Sequence, residues 1–374
     1  MASRDSNYPD AWKISEDEFP KDGPMYEKLK FFLRYAVLAP SIYNTQPWAY
    51  RIVNNKIELY SDRKRILPLA DPRGRESTIS CGTALGFLQI TISHFGYKYK
   101  TELLSNYDNV KNDKNLLATI SVYKDTKSGH ANNDANTLQK EDNNILFKGI
   151  PRRRTNRFRF EDRIIPAIML AGFYYIVDKS PQFQQQTVKQ QDRIWFFVAE
   201  QINEKIALTE LVARGDHILL SDKLLVHELI TWTRQNNCYG GMSHVPGYVL
   251  RIINFISEKS PRIYKSFKIS KRDDRIREFA ATSPVLAILG SYSDTPLDWM
   301  YTGMALTNIL LLASFENISC SVLNQPIQVP QLRLEILDVI KKGKGFPQVM
   351  LGIGYSRHEI KPTPRRNVEE VLLD

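Results

Sequence analysis

An arginine-rich run supplies the side chains that could hold an anionic ligand. Arg153, Thr155 and Arg157 place two guanidinium groups and a hydroxyl within five residues. Guanidinium forks bind phosphate in a bidentate way, and a hydroxyl can donate to a second electron-rich group nearby. A solvated basic patch or a nucleic-acid contact would have the same composition, and the run alone leaves these alternatives open.

A second polar segment, residues 39–48, has a proline near each end. Proline fixes its own backbone and pushes the preceding residue out of the helical region, so the helix predicted at 26–38 must stop here. The segment is therefore a braced loop, and loops of this kind often hold ligands. Its candidate ligand-binding residues are Pro40, Ser41, Asn44 and Gln46.

Two further segments are weaker candidates. Residues 319–326 are interpreted as a proline-stopped polar loop, which contains Leu323, Asn324 and Gln325. Near the C-terminus, Arg365 and Arg366 precede a short helix predicted at 368–373, and an anion could lie against both. Residues 71–76 are interpreted as a turn that leads into a helix.

Several familiar catalytic motifs are missing from the sequence. It has no glycine-rich dinucleotide or P-loop motif, no zinc-binding helix motif and no hydrolase nucleophile elbow. The three cysteines form no close pair, which argues against a disulfide framework and a zinc site. We therefore expect no metal and no catalytic side chain, so that a bound cofactor would carry any chemistry.

Composition indicates a soluble protein with an anionic partner. The 374 residues include 43% apolar residues, enough for two packed halves, and the net charge is +10. This charge could serve nucleic acid, a membrane surface or a cofactor phosphate. With no secretory h-region and no apolar run of membrane-spanning length, we expect a cytoplasmic protein.

A diverged internal repeat is visible along the chain. A helix, a loop, a strand and a later helix containing glycine and alanine occur once from residue 26 and again from residue 167. Small residues on these later helices, at Gly82 and Gly303, would let two backbones approach closely, as in a pseudo-dimer. The predicted organisation is a tail at 1–25, a first half at 26–124, a linker loop at 125–145 and a second half at 146–374, with a possible lid at 240–277.

The polar residues of the repeat are not symmetrical. The braced loop occurs only in the first half, and an arginine run precedes the first helix only in the second half. Since each half keeps what the other lacks, we expect a single composite site between the halves.

Taken together, these segments resemble the FMN-dependent nitroreductase superfamily. The likeness rests on the braced loop, the arginine run, the two glycine-containing helices, the strand 351–355 and residues 364–366. The fused arrangement is similar to the Acg-type subgroup, in which one chain folds like a nitroreductase dimer. The resemblance implies a three-layer α+β fold, internally duplicated, with FMN between the halves. Ordinary nitroreductases form two equivalent sites, but a second site here would lack both the arginines and the asparagine, so we expect one FMN per chain. The likeness also implies hydride transfer from NAD(P)H to FMN and then to a nitro compound or quinone, by a monomer or homodimer without nucleic-acid or membrane partners.

The resemblance also implies roles for individual residues. Arg153, Thr155 and Arg157 would serve the FMN phosphate and the N1/O2 edge of the ring, with Arg365 or Arg366 adding to the phosphate site. Ser41 and Asn44 would contact the flavin from the other half, and Leu323 to Gln325 would lie near N5. Acg-type proteins can carry a cover associated with a closed site, so an FMN-sequestering protein with little turnover is the alternative. A basic nucleic-acid-binding protein is a third reading.

Overall fold

The computed structural model of the chain describes residues 10–103, 115–124, 134–178, 193–235 and 276–374. Three features of the sequence lie outside the described residues: the loop of the second repeat, which we place at 180–182, one of the three cysteines, Cys238, and positions 240–275 of the predicted lid. Its last two positions, Ile276 and Arg277, begin a helical segment at 276–281. Among the described helices, none is both long enough and apolar enough to cross a lipid bilayer.

Two antiparallel sheets of four strands share one strand order. The first sheet has the order β1-β2-β4-β3 and the second has the order β5-β6-β8-β7. A register shift interrupts the β2–β4 pair at Leu59/Tyr60 and the corresponding β6–β8 pair at Leu289/Gly290. The prediction of an internally duplicated α+β fold is therefore confirmed. The described strands are β1 Trp48–Val53, β2 Lys56–Ser61, β3 Tyr97–Leu103, β4 Leu116–Lys124, β5 Ile194–Val198, β6 Val285–Ser291, β7 Ser319–Val322 and β8 Phe346–Gly354.

Helices pack between and around the sheets, and the central pair is α2 and α7. The helices predicted from residues 26 and 167 are present as α1 and α4, and the short C-terminal helix is α10. The labelled helices are α1 Met25–Ala36, α2 Arg75–His94, α3 Asp134–Gly149, α4 Ala167–Asp178, α5 Ile202–Ser221, α6 Lys223–Gln235, α7 Pro296–Phe315, α8 Gln325–Gln328, α9 Pro330–Val339 and α10 Val368–Val371.

The central helices touch backbone to backbone at their glycines. A Cβ atom on Gly303 would lie 2.1 Å from the Ile79 carbonyl oxygen, and one on Gly82 would lie 2.4 Å from that of Met300. Further along, the Thr307 hydroxyl donates across the contact to the Thr83 carbonyl oxygen at 3.0 Å. The glycines thus permit the close approach that the sequence predicted, and each half buries its central helix against the other.

Two loop predictions are wrong. The linker predicted at 125–145 contains the start of α3, because Leu146 and Phe147 at the end of this helix are buried in the core. Their packing overrides the weak helix propensity of the Asn-rich sequence before them. The polar segment that begins at Ser319 is not all loop, since residues 319–322 pair with β8 as strand β7.

A half-buried carboxylate, that of Asp294, ties the start of α7 to α9 and β8. Asp294 accepts hydrogen bonds from both Nη atoms of Arg333, at 2.9 and 3.0 Å, from Gln348 Nε2 at 2.9 Å and from Trp299 Nε1 at 2.7 Å. Burial acts to raise the pKa of Asp294, but these hydrogen bonds and the Arg333 charge outweigh it and hold the pKa below the ordinary range.

The D294N variant should lose stability and part of its acid sensitivity. A folded-state pKa below the unfolded value of about 3.9 means that ionised Asp294 stabilises the fold above that pH and ceases to do so as the pH falls. We expect D294N to lower the free energy of unfolding by about 2 kcal/mol at pH 7, because the partly buried Arg333 keeps its charge and loses the carboxylate that accepts its hydrogen bonds. Urea unfolding at pH 7 and pH 3 measures both effects. The exposed Asp338 on α9 provides the control variant D338N, and equal behaviour of the two variants would contradict the assignment.

Candidate functional site

The arginine run lies along the free edge of β7 in the second sheet. Thr155 forms an isolated bridge with Cys320, and the Asn156 amide donates to the Cys320 carbonyl oxygen at 2.9 Å. The Ser321 hydroxyl donates to the Asn156 carbonyl oxygen at 2.7 Å. These hydrogen bonds fix the backbone of the arginine run and therefore the points from which its side chains project.

Arg153 is a buried cation at the start of this run. Its side chain donates from Nη1 to the Thr155 hydroxyl at 3.1 Å, and only 3% of the residue is exposed. Its Nε atom is buried without a hydrogen-bond partner, and within the described ranges no carboxylate forms an ion pair with it. Burial, reinforced by the positive charges of Arg365 and Arg154, holds the pKa of Arg153 well below its usual range. A guanidinium stays charged at neutral pH, so this site favours an anion.

Arg365 connects the arginine run to the braced loop of the other half. It is 4% exposed and donates from Nη1 to Asn44 Oδ1 at 2.9 Å and from Nε to the Leu38 carbonyl oxygen at 3.3 Å. The positive charge of Arg365 also interacts with Arg153 and helps to lower the pKa of that residue. Arg365 therefore lies between Asn44 of the braced loop and Arg153 of the arginine run, while a composite cofactor site between the halves stays a prediction. We call Arg153, Arg154, Arg157 and Arg365 the arginine cluster.

The braced loop has a strained, internally bonded backbone. Tyr43, Asn44 and Gln46 adopt φ values of 43°, 56° and 50°, in the left-handed region that L residues rarely occupy. The Ser41 hydroxyl accepts the Gln46 amide at 2.9 Å, which closes the loop on itself. Pro40 and Ser41 are half-buried, so both can border a ligand.

Asn44 and Gln46 hold the C-terminal segment in place. Asn44 Nδ2 donates to the Pro364 carbonyl oxygen at 3.0 Å, in addition to its bond with Arg365. Gln46 Oε1 accepts the Arg366 amide at 2.7 Å. Both side chains therefore support the position of Arg365. Their predicted direct contact with a flavin stays a prediction.

Arg366 points away from the arginine cluster. Its Nη1 lies 3.5 Å from an Asp62 carboxylate oxygen and donates to the Gln46 carbonyl oxygen at 3.2 Å. The sequence assigned Arg365 or Arg366 to the anion site, and the structure brings only Arg365 next to Arg153.

The Leu323 to Gln325 segment follows β7 and reaches the first half. Leu323 is buried, and Asn324 accepts the Met350 amide at 2.9 Å through Oδ1. Asn324 Nδ2 donates to Glu76 Oε1 at 2.9 Å. Gln325 Oε1 is buried with no hydrogen-bond partner, so this side-chain oxygen is free to accept a hydrogen bond from a ligand.

Glu76, at the start of α2, is a participant that the sequence analysis did not select. It accepts from Arg75 Nη2 at 2.9 Å and from Gln328 Nε2 at 2.7 Å, and burial raises its pKa against the opposing Arg75 charge. One turn later, the Ser80 hydroxyl accepts the Ile42 amide of the braced loop at 3.2 Å. The start of α2 therefore links the Leu323 to Gln325 segment to the braced loop.

Trp12 is the second participant that the sequence analysis missed, because it lies in the predicted tail. Its ring centre is 4.3 Å from the Arg154 guanidinium carbon and 5.2 Å from that of Arg365. An indole in an otherwise polar tail was the only local signal.

Comparison with known proteins finds relatives that match most of the chain. No protein-family model matches it. The chain is 26% identical over 352 residues, 93% of its length and 92% of the relative's, to "Putative NAD(P)H nitroreductase Rv3131" of Mycobacterium tuberculosis strain H37Rv. It is 21% identical over 348 residues, 92% of its length and 95% of the relative's, to "Putative NAD(P)H nitroreductase acg" of the same strain. Over most of its length the chain is thus similar to proteins named as putative NAD(P)H nitroreductases, which include the Acg protein.

Solved structures similar to this chain include two nitroreductases. The FMN and NADPH-dependent nitroreductase NfnB from a Sphingopyxis strain is 18% identical with a TM-score of 0.39, and the match covers 61% of this chain and 97% of that one. NfnB from Mycobacterium smegmatis in complex with NADPH is 12% identical with a TM-score of 0.40, covering 62% and 96%.

Helix α6 of the second half lies against the first half beside the braced loop. The Glu228 carboxylate accepts the amides of Leu69 and Ala70 at 3.2 and 2.9 Å. The Arg65 guanidinium carbon lies 5.4 Å from the centre of the Trp232 ring, and α6 also contacts the turn at Ile42–Asn44. Part of the segment inserted between β5 and β6 therefore covers the outer side of this loop.

Proposed function

We propose that the chain is an FMN-dependent NAD(P)H oxidoreductase that holds one FMN between its halves and reduces a nitro compound or quinone. The buried Arg153 carries this proposal. A cation that is 3% exposed and close to other guanidinium groups is costly unless an anion accompanies it. The phosphate of FMN would supply that anion, and the relatives named as NAD(P)H nitroreductases make FMN the natural choice.

The described residues offer unpaired polar atoms for such a cofactor at two places. Arg153 Nε and Gln325 Oε1 are buried polar atoms without hydrogen-bond partners, one near the cluster and one beyond β7. Arg153 and Arg365 would bind the phosphate, Thr155 and Arg157 would extend the contact towards the ring, and Ser41 would border it from the first half. When bound, FMN supplies hydride acceptance from NAD(P)H and electron transfer to the acceptor.

The duplicated fold is asymmetric in these groups, which supports one cofactor per chain. The arginine run pairs with β7 of the second sheet, whereas the braced loop precedes β1 of the first. The burial of Arg153 and Arg365 also leaves little of either guanidinium for a nucleic-acid backbone, which disfavours a DNA-binding or RNA-binding role.

A second candidate function is an FMN-sequestering protein with little turnover. The contact of α6 with the braced loop favours it, because a cover that stays closed would exclude nicotinamide and acceptor. The two candidates share the same cofactor site and differ only in access to it.

An anaerobic absorbance spectrum tests the proposal and separates the candidates. We expect purified protein, reconstituted with FMN and desalted, to retain about one flavin per chain and to lose its visible flavin bands when NADPH is added under argon. Flavin bands that persist with both NADPH and NADH would support the sequestering function. A colourless protein after reconstitution would contradict both.

A further inference from the structure

Trp12 contacts two cations of the arginine cluster. The two guanidinium carbons, of Arg154 and Arg365, are 4.3 and 5.2 Å from the centre of its ring. The faces of an aromatic ring carry partial negative charge and attract cations, most strongly for tryptophan. Because like charges beside the buried Arg153 repel one another, an indole is well suited to hold both groups in this position.

The indole N–H fixes the orientation of the ring. Trp12 Nε1 donates to the Thr363 carbonyl oxygen at 2.8 Å, and the Thr363 hydroxyl accepts from Arg365 Nη1 at 2.5 Å. Trp12 therefore acts on Arg365 directly through the ring and indirectly through Thr363.

The residues after Trp12 are anchored to the first half. The Phe19 ring packs against Phe31 and Phe95, with centroids 5.4 and 4.5 Å apart, and the Glu18 carboxylate pairs with Arg34 at 2.7 Å. The segment that carries Trp12 is thus docked on the first half, whereas Arg154 belongs to the run that pairs with the second sheet. Trp12 therefore contacts the arginine cluster from a segment that is separate from both the braced loop and the arginine run.

We propose that Trp12 is a positioning residue that holds Arg154 and Arg365 for binding a phosphate group, and thereby gives the site its preference for FMN over unphosphorylated riboflavin. This inference rests on the proposed function. If Trp12 only stabilised the fold, its loss would weaken the binding of FMN and riboflavin equally. The ratio of the two affinities therefore distinguishes a structural role from a positioning role.

Titration of apoprotein with FMN and with riboflavin, followed by flavin fluorescence, tests the inference. We expect W12A to weaken FMN binding about ten-fold, from the loss of two cation–π contacts, and to leave riboflavin binding unchanged. W12F keeps a ring but loses the indole N–H, so it should fall between wild type and W12A. The control Y26A removes an aromatic side chain on α1 that is 47% exposed and should match wild type. Equal weakening for the two flavins, or no change in W12A, would overturn the inference.

A phosphate titration decides the question independently of flavin. We expect inorganic phosphate to raise the thermal midpoint of the wild-type apoprotein above its value in chloride of equal ionic strength, and to raise that of W12A less. If wild type binds neither flavin, the proposed function fails, and this comparison still tests Trp12. An equal phosphate effect in both proteins, or none in wild type, would count against its role.

Discussion

The R153M variant should lose FMN and yet gain stability as an apoprotein. Arg153 is buried at 3% exposure with an unpartnered Nε atom, so methionine of similar length removes an uncompensated charge without opening a large cavity. We expect the free energy of unfolding of the apoprotein to rise by about 1 kcal/mol. We expect FMN affinity to fall by about 100-fold, because a buried charged contact to phosphate is lost.

Urea unfolding of the apoprotein and fluorescence titration with FMN measure these opposite effects. The control is R163M, because Arg163 is an exposed arginine stacked on Tyr355 with the guanidinium carbon 3.7 Å from the ring centre. It should change neither quantity strongly. If R153M destabilised the apoprotein, Arg153 would have a structural partner instead of a ligand. If it bound FMN as wild type does, the phosphate site would lie elsewhere.

The G303A variant should weaken the whole molecule by separating its halves. A Cβ atom at this position would lie 2.1 Å from the Ile79 carbonyl oxygen and 2.6 Å from the Thr83 nitrogen. Both atoms belong to the α2 backbone, so no side-chain rotation relieves the overlap and the helices must move apart. We expect the free energy of unfolding to fall by about 3 kcal/mol. Flavin retention should fall too, because the braced loop and the arginine run belong to different halves.

The control for this prediction is G172A on α4. The nearest atom to a Cβ there is Leu312 Cδ2 at 3.6 Å, an ordinary contact, so alanine should fit and stabilise the helix by about 0.5 kcal/mol. Urea unfolding of both variants and their retained flavin after desalting give the comparison. A G303A protein as stable as wild type would show that the central contact tolerates expansion.

The strands differ in how clearly the local sequence indicates them. One face of each of β1, β2 and β4 is more exposed than the other, which leaves a local alternation of residue types in the sequence. Strand β6 gave no such pattern, since all seven of its residues are buried. The short β7 was hidden by its serine and cysteine content, and it exists because it pairs with β8. These two strands depend on tertiary contacts that the sequence does not display.

In the candidate site, too, some parts could be predicted from the local sequence, whereas others depend on distant contacts. The braced loop and the arginine run were recognisable from residue types, and their asymmetry between the halves pointed to one composite site. Arg365 and Arg366 could not be distinguished, because their difference lies in distant partners, Asn44 for one and Asp62 for the other. Trp12 was missed since its partner Thr363 is 351 residues away.

The shared strand order of the two sheets bears on how such a site can change during evolution. In an assembly of identical subunits, every substitution appears twice and must suit both copies of a site. In this chain a substitution at Asn44 or Arg153 occurs once. Each half is therefore free to diverge where the other supplies the needed group, while the contact between Gly82 and Gly303 preserves their alignment. Duplication followed by fusion lets one binding site be refined without matching adjustments in a twin.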